Sequence, residues 1–275
     1  MVRAARQQPS EEIIQSLDKL SPLIVIENGK RALCQVMGCS GHPKQKPNPY
    51  CPKHMHLMDK LQDTLSGSEP PYTPEVWNGD IAARMVHNCF AYSLNIFSRI
   101  LVELCRNKNI CNTHQPGEIS KWPAMDKKTC PNLIARILGD GQYTNNGEYK
   151  EGQYIPADYD TVCPQGTSMI AFIVDTKNDY HVLRRDSTGR FSHKGGQGPV
   201  TDLDALGHYI TDVRRANFNY HWYSEPLNYT HFCGYFCISR SIVHAGVPKG
   251  GRRYRATRRT QKKNKTRLLR QKSGK

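Results

Sequence analysis

Apolar positions change period partway along the chain. Before residue 110 they recur at helical spacing, and beyond residue 165 they fall into the short runs and alternations that strands make. Residues 10–20 (SEEIIQSLDKL) predict a short helix: Ser10 can cap it, Glu11 and Glu12 fill its first turn, and Ile13, Ile14, Leu17 and Leu20 share a face. Residues 79–107 predict a longer helix, with Ala82, Ala83, Val86, Phe90, Leu94, Phe97, Leu101 and Leu104 recurring at spacings of one to four. From 107 to 165 Asn, Pro, Gly and Lys dominate, which predicts loops around one short helix, Asn132 to Leu138. Then SMIAFIVD forms an apolar run, HVLRRD and GRFSHK flank a Ser187-Thr188-Gly189 turn, and HFCGYFCIS alternates near residue 235. Helices first and strands afterwards predict an α+β fold.

Within that pattern, Asn88-Cys89-Phe90-Ala91-Tyr92 puts a cysteine in the middle or the first part of a helix. A thiolate is the reactive form of cysteine, and a helix N-terminus or an adjacent imidazole favours it. A cysteine on an apolar helix is more often a core residue; a second segment weighs against that. It runs from Pro164-Gln165-Gly166 through the apolar strand to Tyr180-His181-Val182 and then Phe191-Ser192-His193. His193 follows His181 by 12 residues, across a hairpin that can make the two imidazoles cross-strand neighbours. These segments resemble the core of the NlpC/P60 branch of the papain-like cysteine hydrolases, of the kind found in uncharacterised proteins of large DNA viruses.

The resemblance implies a papain-like fold in which a helix carrying the nucleophile precedes an antiparallel sheet. It implies Cys89 as nucleophile, His181 as base and His193 as the group that orients the base, acting on a peptide or amide substrate through a covalent acyl-enzyme. Asp212 is the alternative orienting residue. The chain departs from the family around the cysteine, where Asn-Cys-Phe-Ala stands in place of Asp-Cys-Ser-Gly. An acyltransferase on the same scaffold, and a non-catalytic nucleic-acid-binding or structural protein on an inactive core, are the competing functions.

Upstream, residues 34–54 read Cys-x4-Cys-x11-Cys-x2-His: Cys34, Cys39, Cys51 and His54. Three thiolates and an imidazole suit one tetrahedral structural zinc ion. His42 and His56 are alternative fourth ligands, and Met55 to Leu65 predicts a helix opened by the Cys-x2-His pair. The other cysteines (Cys105, Cys111, Cys130, Cys163, Cys233 and Cys237) lack ligand spacing and read as small core residues. His87, two positions from Cys89, reads as exposed.

Charge changes the picture only at one end. The chain has a formal net charge of +15, and the stretch 248–275 holds 13 Lys or Arg and no acid, so the rest carries 15 − 13 = +2. Arg252, Arg253, Arg255, Arg258, Arg259, Lys262 and Lys263 form the densest part, suited to phosphate backbones or to nuclear import. No signal-peptide pattern and no membrane-spanning run is visible, which predicts an intracellular protein with reduced thiols, in the nucleus or in a virion. The predicted organisation is a helical segment over 1–30, a zinc module over 31–65, a Ser- and Pro-rich linker or domain entry over 66–74, a hydrolase domain over 75–245 and a disordered basic tail over 246–275.

Overall fold

The computed structural model describes residues 24–118, 120–141, 154–221 and 226–239. The helix expected at 10–20 and the basic tail lie outside these residues.

The described part is a mixed α+β fold. Strand β1 (Ile24–Val25) is followed by a 3-10 helix (Pro52–Lys60) and by helices α1 (Pro74–Asn78), α2 (Ile81–Val86), α3 (Cys89–Ser93), α4 (Arg99–Lys108) and α5 (Cys130–Gly141). Then come β2 (Tyr154–Ala157), β3 (Thr167–Asp175), β4 (Asp179–Arg185), β5 (Phe191–Lys194), β6 (Val200–Thr201), β7 (Asn219–Tyr220), β8 (Leu227–Asn228) and β9 (His231–Ser239). The main sheet runs β1-β9-β3-β4-β5-β6, with β2 added to β9, and all its pairs are antiparallel. The β4–β5 hairpin sets Leu183 opposite His193.

Strand β3 is buried along its whole length because both faces of the sheet are covered. On one face Phe90, Leu133 and Ile137 from α3 and α5 pack on Ile170, Phe172 and Val182. On the other, Ile210, Val213 and Phe218 from the segment after β6 cover Ile173, Leu183 and Phe191. Deleting one of these aromatic anchors, Phe172→Ala for example, costs about 3–5 kcal/mol.

Three expectations need correction. The single helix over 79–107 is three helices. Asp80, Asn88 and Ser98 each cap a new start by accepting a backbone N–H, and Asn95 adopts a left-handed conformation between the last two. His87 is buried at the first break, bonded to the Ala83 carbonyl and accepting the Ser98 N–H. Most consequential, six cysteines are paired: Cys105–Cys111 closes the end of α4, Cys130–Cys233 ties α5 to β9, and Cys163–Cys237 ties the loop before β3 to β9. Spacing along the chain could not show this, since two of the pairs span 103 and 74 residues.

The segment 66–74, the expected linker or domain entry, is bonded to the sheet. Ser66 bonds to the Thr167 carbonyl, the Ser187 N–H donates to the Pro70 carbonyl, and Arg184 donates to the Pro71 carbonyl. It runs across the end of the β4–β5 hairpin and fixes residues 31–65 to the sheet.

Candidate functional site

Cys89 is the first residue of α3. The Asn88 side chain caps that helix at Ala91 and also donates to the His114 carbonyl, so the entry to the helix is held from both sides. The thiol is buried, 6% exposed, in the same core cluster as Val182, the residue that follows His181. The nucleophile candidate is thus brought against the strand that carries the base candidate. No hydrogen bond joins the thiol to the imidazole among the described residues.

The two histidines form a relay whose protons can be placed by elimination. His193 Nε2 lies 3.1 Å from the Leu203 carbonyl oxygen, which can only accept, so Nε2 carries the proton and donates. His193 Nδ1 is then a bare acceptor for His181 Nε2, 2.9 Å away. That bond leaves His181 Nδ1 with its lone pair, the form a general base requires. Tyr229 lies over the His181 ring with centroids 5.3 Å apart, and Phe218 and Tyr220 flank His193. Asp212 takes no part in this: it pairs with Arg214 and accepts the Tyr235 hydroxyl.

Burial governs the charge state. It pushes the Cys89 thiol up to about 12, with the Asp179 carboxylate adding to the effect. Burial likewise lowers His181 well below the usual imidazole range, helped by His193 and Lys194, and lowers His193 to about 4. Thiol and imidazoles are therefore all neutral at rest, and the thiolate expected at neutral pH is not preformed.

One contributor carried no sequence signal. Lys194 is fully buried on β5, and its ammonium donates to the carbonyls of Arg84 and Gly196. It pins β5 to the last turn of α2, directly before the Cys89 helix. Beside it, Ser192 shares a 2.7 Å hydrogen bond with the Tyr92 hydroxyl, and Arg184 donates to the Tyr92 carbonyl. The hairpin strands thus hold the Cys89 helix through buried polar groups, whose satisfaction specifies one arrangement.

The second cluster lies upstream. Cys34, Cys39, Cys51 and His54 bring their ligand atoms within 4.8 Å of one another, and this Cys3His set is able to hold a metal ion. Cys39 and Cys51 sulfurs are 3.9 Å apart, and His54 Nδ1 lies 3.4 Å from Cys34 and 3.5 Å from Cys51. Tetrahedral coordination with ordinary zinc–sulfur and zinc–nitrogen bonds places ligand atoms ~3.6–3.8 Å apart, so the donors fit. Gly41 permits that closeness, because a Cβ there would meet Cys51 Cβ at 3.0 Å and its sulfur at 3.1 Å. His42 is turned away to the Ala32 carbonyl, and neither it nor His56 belongs to the cluster. The helix expected over Met55–Leu65 is instead the 3-10 helix Pro52–Lys60.

No known protein family and no solved structure matches the chain. Among curated proteins it is similar to "Insoluble matrix shell protein 1" of Ruditapes philippinarum, 29% identical over 146 residues, which is 53% of this chain and 80% of that protein. No helix among the described residues is long and apolar enough to cross a membrane.

Proposed function

We propose that the chain is a thiol-dependent acyl hydrolase, a peptidase or amidase, on a papain-like scaffold of the NlpC/P60 type. The observation that carries this is the run from the Leu203 carbonyl through His193 to His181, which fixes both tautomers and leaves His181 Nδ1 bare beside the strand where the Cys89 sulfur rests. As the Cys89 sulfur bonds to the acyl carbon, its proton passes to His181 Nδ1. His193 accepts from the imidazolium and steadies it, and the Leu203 carbonyl steadies His193 in turn. His181 returns the proton to the leaving amine as the carbon–nitrogen bond breaks, and water activated by the same imidazole then cleaves the thioester. With both partners neutral at rest, proton transfer accompanies attack, as with serine nucleophiles.

The upstream Cys3His set is proposed to hold Zn2+ in a closed structural site, as three thiolates and an imidazole favour. The basic tail is proposed to contact nucleic acid.

A second reading, a non-catalytic structural protein, draws on two observations: the three disulfides, and the similarity to a shell matrix protein. Disulfides persist where the surroundings are oxidising, so an oxidising compartment replaces the reduced intracellular setting expected from the sequence as the proposed place of folding. A panel of chromogenic acyl amides and esters decides between the readings. The hydrolase reading expects turnover and a Cys89-linked acyl adduct by mass spectrometry, both abolished in Cys89→Ala, with turnover also lost in His181→Ala. A protein that forms no adduct and turns over nothing in the panel leaves the structural reading.

A further inference from the structure

The residue after the first metal-ligating cysteine is Gln35, and its amide is buried at 3% exposure. The hydrogen bonds of this side chain go to one short stretch of chain. Its Oε1 accepts the Thr211 N–H at 2.7 Å, the Thr211 hydroxyl at 2.9 Å and the Asp212 N–H at 3.2 Å, while its Nε2 donates to the Tyr209 carbonyl at 2.9 Å. Tyr209 lies across a β-bridge from Leu203, and the same turn is closed by Asp204 N–H to the His208 carbonyl and Ile210 N–H to the Asp202 carbonyl. The Leu203 carbonyl is the acceptor that fixes His193. The connection from Cys34 to His193 is therefore continuous, through one side chain and one tight turn.

We propose that Gln35 is a positioning residue that couples the metal centre to the histidine relay. Holding Cys34 on the metal holds Gln35, Gln35 holds the 202–211 turn, and that turn presents the Leu203 carbonyl to His193 Nε2. The consequence for chemistry rests on the thiol hydrolase reading; the consequence for the His193 tautomer does not. The metal site is then not an independent module, and its removal reaches the base of the candidate active site.

The test uses the full chain, Zn2+-loaded and chelated, with 15N-labelled histidine. His193 is expected as a single Nε2-protonated tautomer when Zn2+ is bound, and as an averaged mixture after chelation. Gln35→Leu, whose four metal ligands are intact, is expected to keep one Zn2+ yet show the averaged tautomer. The rate of Cys89 alkylation by iodoacetamide should fall about tenfold in both cases, the lower end of what outer-shell partners of metal sites are worth. The two perturbations should not add, so chelating Gln35→Leu lowers the rate no further.

Arg215→Met removes a separate anchor of the module, the bonds to the Cys34 and Cys39 carbonyls, and should leave His193 fixed. The same averaging in Arg215→Met, or a His193 tautomer indifferent to chelation, overturns the assignment. Should Gln35→Leu not fold, Gln35→Glu, which keeps the acceptor oxygen, must hold the tautomer or the proposal fails. If the tautomer responds as expected but His181→Ala alkylates at the wild-type rate, the hydrolase reading fails and the coupling stands.

Discussion

A neutral cysteine and a neutral histidine behave differently from the ion pair that the residue types alone suggested. With the thiol pushed to about 12 and His181 held well below its usual range, little thiolate exists at neutral pH in the absence of an acylating substrate. Alkylation of Cys89 by iodoacetamide should therefore climb steadily between pH 7 and 10, without the plateau above pH 5 that a preformed ion pair produces. A flat rate across that range would show that the thiolate is already present. The histidines also make stability depend on pH. His193 titrates at about 4 folded, against about 6.5 unfolded, and burial lowers His181 and His87 as well. Between those values the unfolded chain binds more protons, so stability is complete above about pH 6.5 and is lost as pH falls towards 4. Each such histidine contributes a slope of about 1.4 kcal/mol per pH unit. Urea midpoints at pH 7.5 and 5 should show this fall, and His193→Phe should flatten it. An unchanged midpoint in the wild type would mean that the imidazoles are charged in the folded state.

The strands that carry the relay were plain in the sequence because apolar runs and a Ser-Thr-Gly turn mark the β4–β5 hairpin directly. Helices α2 to α4 were less so: the apolar spacing continues through both breaks, and only the side chains of Asn88, Asn95 and Ser98 interrupt it. The capping bonds of Asn88 and Ser98 and the left-handed turn at Asn95 depend on backbone already turned out of the helix, and period alone cannot show that. The Cys3His spacing was readable because all four ligands lie within 21 residues. The acceptor that sets the relay was not, since it is a backbone carbonyl and every residue has one. Metal analysis of freshly purified protein should return one zinc per chain, and Gly41→Val should lose it, because the new side chain must push Cys51 out of the ligand set; full zinc content in that variant would place the metal elsewhere. Cys130–Cys233 closes a loop of about a hundred residues, and Cys130→Ser with Cys233→Ser should lower stability by about 4–5 kcal/mol on the chain-entropy account. An unchanged urea midpoint would show that the two thiols are not paired in the folded protein.

At the scale of the molecule the parts are tied together rather than strung along the chain. The metal loops dock on the 202–217 segment, residues 66–74 strap the end of the hairpin, and two disulfides anchor on β9. Such ties add to what an ordinary core supplies. The charge is arranged on the opposite plan. The body is close to neutral at +2, and 13 positive residues sit in 248–275 without one acid. If that stretch engages phosphates, affinity for nucleic acid should be independent of base sequence, because nothing in an RRYRATRRTQKKNK run reads base edges in a fixed geometry. Engaging about 6–10 phosphates predicts a loss of ~10³–10⁵ in affinity between 50 and 200 mM salt. Removing residues 246–275 should abolish that binding and leave acyl hydrolysis and zinc content unchanged, since Cys89, the histidine relay with its Leu203 acceptor and the 202–211 turn, and the four ligand residues all lie before residue 212. Fluorescence anisotropy with labelled single- and double-stranded oligonucleotides at several salt concentrations gives both answers. Binding that survives the truncation, or that salt leaves untouched, would move the contact from the tail to the body.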